Sequence, residues 1–203
     1  MLNNSKEDKI FASVLADGLI HITCDEFSDG AIKREYETST GEKGVKYEHQ
    51  YTDITGIITD VKFFEGDYGK SLQLTISDGD EKPVVLSLST ASSYGEDAMK
   101  KLLNVDLTQE VKIAPYSFTD ENGKNKKGVT IYQNGAKIQN HFYNPETKEN
   151  INGYPEPKNL KAGKKMNKEL WKIYFAEVRV FLVDKITEHF KLDEGKIDVI
   201  DFD

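Results

Sequence analysis

The alternation of apolar and polar residues is clearest between Ile54 and Asp78, where it predicts two long strands joined by a tight turn at residues 65–69. In the second strand Leu72, Leu74 and Ile76 alternate with polar residues. A period of two is typical of a strand that buries one face and exposes the other. The segment therefore predicts a β-hairpin with one buried face and one wet face.

The residues after this hairpin predict a third strand, a helix and two further strands. The third strand covers residues 83–89, the helix residues 94–103, and the last two strands residues 109–118 and 128–139, with a polar loop between them at 119–127. Ser92 or Ser93 can cap the helix, because a serine oxygen accepts a free amide of the first turn. The order β-β-β-α-β-β is that of the OB-fold, a five-stranded Greek-key barrel. We therefore expect a mainly β protein with an OB-fold-like barrel over residues 48–140.

The first 47 residues predict a β-hairpin extension. Strands at 9–15 and 19–24 flank an Asp17-Gly18 turn, and strands at 34–39 and 45–51 flank residues 40–44. Asp-Gly is a strong hairpin signal because both residues tolerate a positive φ. These strands are expected to cover a barrel edge or to line one side of a binding groove. We interpret Lys33 and Arg34 as solvated strand residues rather than phosphate contacts.

Three segments are predicted after the barrel. Residues 141–168, rich in Asn, Pro, Gly and Lys, predict a basic, irregular and partly mobile connector. Residues 169–191 predict a long helix whose apolar positions recur every three to four residues; we expect it to pack on the barrel, with a dimer as the alternative. Residues 192–203 combine acids with apolar residues and predict a disordered acidic tail, although pairing of this segment with a sheet edge is a second interpretation.

The net charge is −8, but the basic residues are concentrated in one part of the chain. Residues 112–168 hold 11 lysines against five acids, a net +6, whereas residues 192–203 hold one lysine against five acids, a net −4. Local potential rather than total charge decides where a phosphate group binds. The basic window therefore agrees with nucleic-acid binding; the simpler interpretation is that the lysines of the 119–127 loop only solvate a hairpin tip.

Aromatic and basic residues lie together at the first hairpin. Phe63, Phe64 and Tyr68 are close in sequence to Lys62 and Lys70. Rings beside ammonium groups on a sheet surface suit a single-stranded nucleic acid, because bases stack on the rings while the lysines contact phosphates. The alternative is that these rings belong to the core and the lysines only increase solubility.

Other classes of function have little support in the sequence. We find no Walker-type glycine loop, no G-x-S-x-G, no H-E-x-x-H and no pair of cysteines, so we do not expect an enzyme, a metal site or a cofactor. No apolar run approaches the length of a membrane span, so no membrane partner is expected. The single Cys24 fits a reducing cytoplasm.

Several runs of the chain resemble the OB-fold single-stranded DNA-binding proteins of bacteriophages and related mobile elements. The similar runs are GIITDVKFFEGDYGKSLQLTISDG, SSYGEDAMKKLLNVDL, IAPYSF and GVTIYQNGAKI, within roughly residues 17–138. The resemblance implies that sheet aromatics and basic loop residues hold the DNA strand. The matching rings are Phe63, Phe64, Tyr68, Tyr116, Phe118 and Tyr132, and the matching basic residue of the first hairpin is Lys70.

The acidic end resembles the tails with which such proteins recruit replication and recombination proteins. Its candidate apolar anchors are Ile197, Val199, Ile200 and Phe202. The chain ends in Phe202-Asp203, whereas the family pattern has a terminal aromatic residue.

The function predicted from the sequence is binding of single-stranded DNA without sequence specificity, in replication or recombination. The lysines expected to contact phosphates are Lys70, Lys124, Lys126, Lys127 and Lys137. The alternative is an OB-like protein–protein interaction module of a replisome or virion that binds no nucleic acid. The sequence leaves the oligomeric state open.

Overall fold

The computed structural model describes residues 9–38, 40–67, 69–79, 81–157 and 166–192. Its strands are β1 (Ile10–Val14), β2 (Ile20–Cys24), β3 (Ile32–Glu37), β4 (Lys43–Tyr51), β5 (Ile54–Gly66), β6 (Gly69–Ser77), β7 (Val84–Ser89), β8 (Val111–Thr119), β9 (Asn125–Gln133), β10 (Ala136–Lys137), β11 (Tyr143–Asn144) and β12 (Glu149–Asn150). The helices are α1 (Ser93–Leu102) and α2 (Lys168–Phe190).

Among these residues the first ten strands form one open sheet, in the order β10-β9-β8-β5-β6-β7-β1-β2-β4-β3. The predicted mainly β class is confirmed, and the order β-β-β-α-β-β is present from β5 to β9. Both predicted N-terminal hairpins are present, since β1 pairs with β2 and β3 pairs with β4. The boundary expected between residues 47 and 48 falls inside β4, so the extension and the central strands share one sheet.

The predicted closed five-stranded barrel is not confirmed. The outer edge of β7 pairs in parallel with β1, so this edge is not available to β9. The corresponding edge of β9 is covered by α1: the Asp97 carboxylate accepts from the Val129 amide at 2.8 Å, and the Lys101 ammonium donates to the Val129 carbonyl. A helix that covers an edge satisfies the backbone without another strand. The sheet therefore remains open where a barrel would close.

The core lies between one face of the sheet and the two helices. In β6 and β7 the inward residues Leu72, Leu74, Leu86 and Leu88 are at most 1% exposed. Helix α1 begins after its Ser92 cap, whose hydroxyl accepts from the Gly95 amide. The Ser92 cap and the alternation of apolar residues thus fix α1, β6 and β7 in place, and with them the outward face of the two strands.

Helix α2 contributes Val178, Leu182 and Ile186 to this core. It begins after the Asn167 cap and ends at Phe190, with Lys191 as its C-terminal cap. Its contacts are mainly with α1 and with the rings of Phe142 and Tyr154. The helix therefore packs on the protein's own core, through α1 rather than directly on the strands. Its exposed apolar side chains are those of Trp171, Ile173, Phe175 and Val180.

The described part of the connector, residues 141–157, is more ordered than the sequence predicts. Strands β11 and β12 pair with each other, and Phe142 is 1% exposed within the core. The Phe142 ring contacts the rings of Tyr154 and Phe181 at centroid distances of 5.6 and 5.2 Å. These aromatic contacts fix a segment whose Pro, Gly and Asn content suggested an irregular chain.

The turn between β1 and β2 packs tightly against β8 at Gly18. This residue has φ +83°, and a Cβ atom there would lie 2.5 Å from the Ser117 amide nitrogen and 2.7 Å from the Tyr116 carbonyl carbon. Gly41 has a similar φ of +86°, but no atom lies within 4 Å of a Cβ built on it. Substitutions at Gly18 and Gly41 therefore separate the cost of a positive φ from the cost of the close approach to β8.

We expect Gly41→Ala to lower the free energy of unfolding by about 1 kcal/mol, the cost of a left-handed alanine. Gly18→Ala should cost about 2 kcal/mol, because the β1–β2 turn must also move away from the β8 backbone. Urea denaturation of the two variants measures the difference. Equal losses of unfolding free energy in the two variants would show that the β1–β2 turn moves away from β8 without cost.

Across the described ranges, no helix is long and apolar enough to cross a membrane.

Candidate nucleic-acid interface

The outward face of the sheet forms a groove, here called the central groove, that crosses β6, β7, β1, β2 and β4. Its volume is about 840 Å³. Neighbouring strands are about 4.8 Å apart, so the groove extends roughly 19 Å across these five strands. Its polar lining comes from every one of them: Ser71, Gln73, Ser87, Ser89, Ser13, His21, Thr23, Lys46 and Glu48.

The pairing of the strands determines which side chains line the groove. Gln73 lies opposite Ser87, which lies beside Ser13 of β1, and Ser13 lies opposite His21 of β2. Because side chains alternate between the faces of a strand, this row shares the face opposite the leucines of the core. The wet face predicted for the second hairpin strand is therefore the floor of the groove.

Two phenylalanine rings border the central groove. Phe11 on β1 is 66% exposed, beside Val85 of β7. Phe64 on β5 lies opposite Ser71 and is partly buried. An exposed ring on a strand whose other face is packed offers an apolar surface on which a flat ligand can stack. The groove therefore combines aromatic surface with hydroxyl and amide groups.

A row of four charged residues crosses the far wall of the groove. The ring of His21 lies between two carboxylates: Nδ1 is 2.9 Å from Glu48 Oε2, and Nε2 is 3.0 Å from Asp17 Oδ2. Arg34 donates to the same Glu48 through Nε at 2.8 Å and through a terminal nitrogen at 2.6 Å. Both His21 and Glu48 are 3% exposed. We call Asp17, His21, Glu48 and Arg34 the charged relay.

The hydrogen bonds of the relay centre on Glu48. An ionised carboxylate only accepts hydrogen bonds, so each proton on a ring nitrogen of His21 is donated to the carboxylate beside it. The Arg34 guanidinium, with help from His21, lowers the pKa of the Glu48 carboxyl from 4.5 to about 2, although burial opposes the shift. The hydrogen bond with Glu48 raises the pKa of Arg34 in turn. The relay therefore places the buried Glu48 carboxylate between two side chains that stabilise its charge.

A second aromatic surface lies on the outer face of the β8–β9 hairpin. The rings of Tyr116 and Phe118 are 5.8 Å apart between centroids, and Phe118 lies opposite Lys126. Farther along the hairpin, Tyr132 lies opposite Lys112, and both line a shallower groove of about 700 Å³. Burial raises the pKa of the Tyr116 phenol.

The structure places the predicted site residues on several surfaces. Phe64 and Lys70 line the central groove, whereas Phe63 packs against the core with the Lys70 ammonium 5.9 Å from its ring centroid. Tyr116, Phe118, Lys126 and Tyr132 share the outer face of the β8–β9 hairpin, with Lys127 on its other face opposite Ser117. Lys124 precedes β9 and Lys137 lies in β10. Tyr68, Ile197, Val199, Ile200 and Phe202 lie outside the described residues.

Sequence reasoning missed Phe11 and misread Arg34. Phe11 lies in the run Ile10-Phe11-Ala12-Ser13-Val14, where the largest apolar side chain would be assigned to the core. That Phe11 lies on the outward face becomes evident only from the parallel pairing of β1 with β7. Arg34, interpreted as a solvated strand residue, is held by a buried carboxylate 14 positions along the chain.

Comparison of the chain with protein-family models, with curated proteins and with solved structures finds no match. The resemblance to phage single-stranded DNA-binding proteins is therefore carried by the sequence runs quoted above alone.

Proposed function

We propose that this protein binds single-stranded DNA without sequence specificity in the central groove. The observation that carries the proposal is the exposed ring of Phe11, with Phe64, beside a groove lined by hydroxyl, amide and basic groups. Bases of any sequence have a flat face that stacks on an aromatic ring, and polar groups beside the ring can contact the sugar and phosphate.

The position of the groove supports the same proposal. It lies over β6 and β7, the second and third strands of the β-β-β-α-β-β order, and it reaches the turn at residues 65–69. In OB-folds this face and the adjoining loops bind oligonucleotides and oligosaccharides. We therefore interpret β5 to β9 as an OB-like unit in which α1 and β1 occupy the positions at which a barrel would close.

Lysines outside the groove supply positive charge for the DNA backbone in this proposal. Lys124 and Lys126 are exposed near the tip of the β8–β9 hairpin, and Lys137 is exposed on β10. The acidic residues 192–203, on their sequence alone, are the proposed recruitment segment for a replication or recombination protein.

One observation favours the alternative, a protein–protein interaction module. Helix α2 exposes Trp171, Ile173, Phe175 and Val180, and the rings of Trp171 and Phe175 are stacked at 5.6 Å. Aromatic residues of this kind are enriched at protein interfaces. Replacing Phe11 distinguishes DNA binding from protein–protein interaction, because only DNA binding needs the Phe11 ring.

The test is fluorescence anisotropy of a labelled oligothymidylate, a duplex of equal length and an oligouridylate, with wild-type protein and two variants. A stacked ring contributes roughly 1–3 kcal/mol per base, so Phe11→Ala should weaken binding of the oligothymidylate about tenfold or more. Phe27→Ala is the matched control, because Phe27 is 93% exposed and does not line the groove.

Two results would contradict the proposal. One is failure of the wild-type protein to bind the oligothymidylate at about 50 mM salt, where phosphate contacts are strongest. The other is an equal effect of Phe11→Ala and Phe27→Ala, which would place the binding surface elsewhere.

A further inference from the structure

The guanidinium of Arg34 has hydrogen-bonding capacity that its ion pair does not use. A guanidinium has five N–H donors, and the two that Glu48 accepts leave three for a ligand. The Arg34 side chain is 33% exposed and lines the central groove. Its planar group is also held in one orientation by Glu48, so little conformational freedom is lost when an anion binds.

The Glu48 carboxylate is shared between Arg34 and His21, and Asp17 holds the His21 ring from the other side. Apart from His21, the groove lining carries the cations Arg34, Lys46 and Lys70 and the acids Glu48, Glu65 and Asp67. Arg34 is therefore one of three cationic groups of the lining that a phosphate group in the groove can contact.

We propose that Arg34 binds one phosphate group of the DNA strand in the central groove, and that Asp17, His21 and Glu48 position it for that contact. The inference rests on the proposed function and adds to it a named phosphate contact. Bidentate recognition of phosphate is a geometry that guanidinium groups favour. Arg34 is the binding residue in this arrangement, and the other three residues act through it.

The contact of His21 with Glu48 supports the position of Arg34. Glu48 Oε2 accepts from Arg34 Nε at 2.8 Å and lies 2.9 Å from His21 Nδ1, so the ring and the guanidinium hold the same carboxylate. Asp17 holds the other ring nitrogen at 3.0 Å. Without the ring, Glu48 loses one of these contacts and the guanidinium is held less firmly.

The test compares Arg34→Met with Lys33→Met in anisotropy titrations of the oligothymidylate at several salt concentrations. Lys33 is the neighbour of Arg34 on β3, and its side chain is on the opposite face, where it pairs with Glu35 at 3.5 Å. Arg34→Met should weaken binding about tenfold, as expected for a charged hydrogen bond. The slope of log affinity against log salt should fall by about 0.7, the value for one phosphate of a single strand. Lys33→Met should change neither quantity.

Arg34→Met leaves the buried Glu48 without its main partner, so the double variant Arg34→Met, Glu48→Gln is measured beside it. This variant removes both charges together, and it should show the same loss of affinity and slope. His21→Gln tests the positioning role. It should weaken binding several-fold in the wild-type protein and should have no further effect in the double variant, because it acts through Arg34.

The Phe11→Ala variant distinguishes the two proposals. If it weakens binding while both Arg34 variants keep wild-type affinity and slope, the phosphate contact is wrong and the groove remains the binding site. If His21→Gln weakens binding equally in the wild-type protein and in the double variant, the positioning role is wrong. If the wild-type protein does not bind the oligothymidylate, both proposals are overturned.

Discussion

Replacing Glu48 by leucine is expected to lower the free energy of unfolding by about 3–5 kcal/mol, the cost of leaving buried charges without their partner. Glu48 is 3% exposed and holds both His21 and Arg34. Its removal leaves the guanidinium of Arg34 and the ring of His21 facing an apolar side chain. Urea denaturation monitored by circular dichroism measures the loss.

Two further variants identify the cause. Glu35→Leu makes the same chemical change on β3, where the side chain of Glu35 is 80% exposed and pairs only with Lys33 among the described ion pairs; we expect a change within about 0.5 kcal/mol. The triple variant His21→Leu, Arg34→Leu, Glu48→Leu removes the charges together and should recover most of the stability. If the triple variant is as unstable as Glu48→Leu, lost packing rather than unpaired charge explains the effect.

The second large effect is a loss of stability in acid. The folded state holds the pKa of Glu48 at about 2, below its ordinary value of 4.5. A carboxyl with a lowered pKa contributes its stabilisation above the ordinary pKa and loses it as the pH falls toward the folded value. Between pH 4.5 and 2 this group alone should therefore cost up to about 3 kcal/mol, because lowering a pKa by one corresponds to about 1.4 kcal/mol.

The measurement is urea denaturation at intervals between about pH 6 and 2, for the wild-type protein and for Glu48→Gln. Other carboxylates titrate in the same range, so the difference between the two proteins isolates Glu48. The variant should be less stable at neutral pH, and its curve should approach that of the wild type in acid. Parallel curves throughout would show that the Glu48 carboxyl titrates alike in the folded and unfolded states.

Local features of the fold could be read from the sequence because their causes are local. The Asp17-Gly18 turn and the Ser92 cap of α1 each involve residues within four positions of one another, and the apolar residues of α2 recur every three to four positions. The alternation in β6 likewise identifies its buried face. These signals predicted the strands from β5 to β9, both helices and two N-terminal hairpins.

Pairings between distant segments could not be read in this way. Nothing in the run of β1 shows that it pairs with β7, and that pairing decides both the open sheet and the outward position of Phe11. His21 and Glu48 meet because β2 and β4 are neighbours, although the two residues are 27 positions apart. The groove was therefore predicted in part, through Phe64, Lys70, the polar face of β6 and the expectation that N-terminal strands could line one side of it. The charged residues of the far wall were not identified.

The parallel pairing of β1 with β7 also sets an order in which the chain can fold. Residues 10–13 leave the ribosome early, but their partners at 84–87 follow only after β2 to β6 have been synthesised. Contacts between such distant segments form late, because a long loop must close before they can form. Until then β1 is the end strand of the set β1-β2-β4-β3, and its other edge stays unpaired. The N-terminal strands therefore complete a cooperative folding unit that extends to α1 and beyond, and a chain that lacked them would leave the outer edge of β7 open to pairing with other molecules.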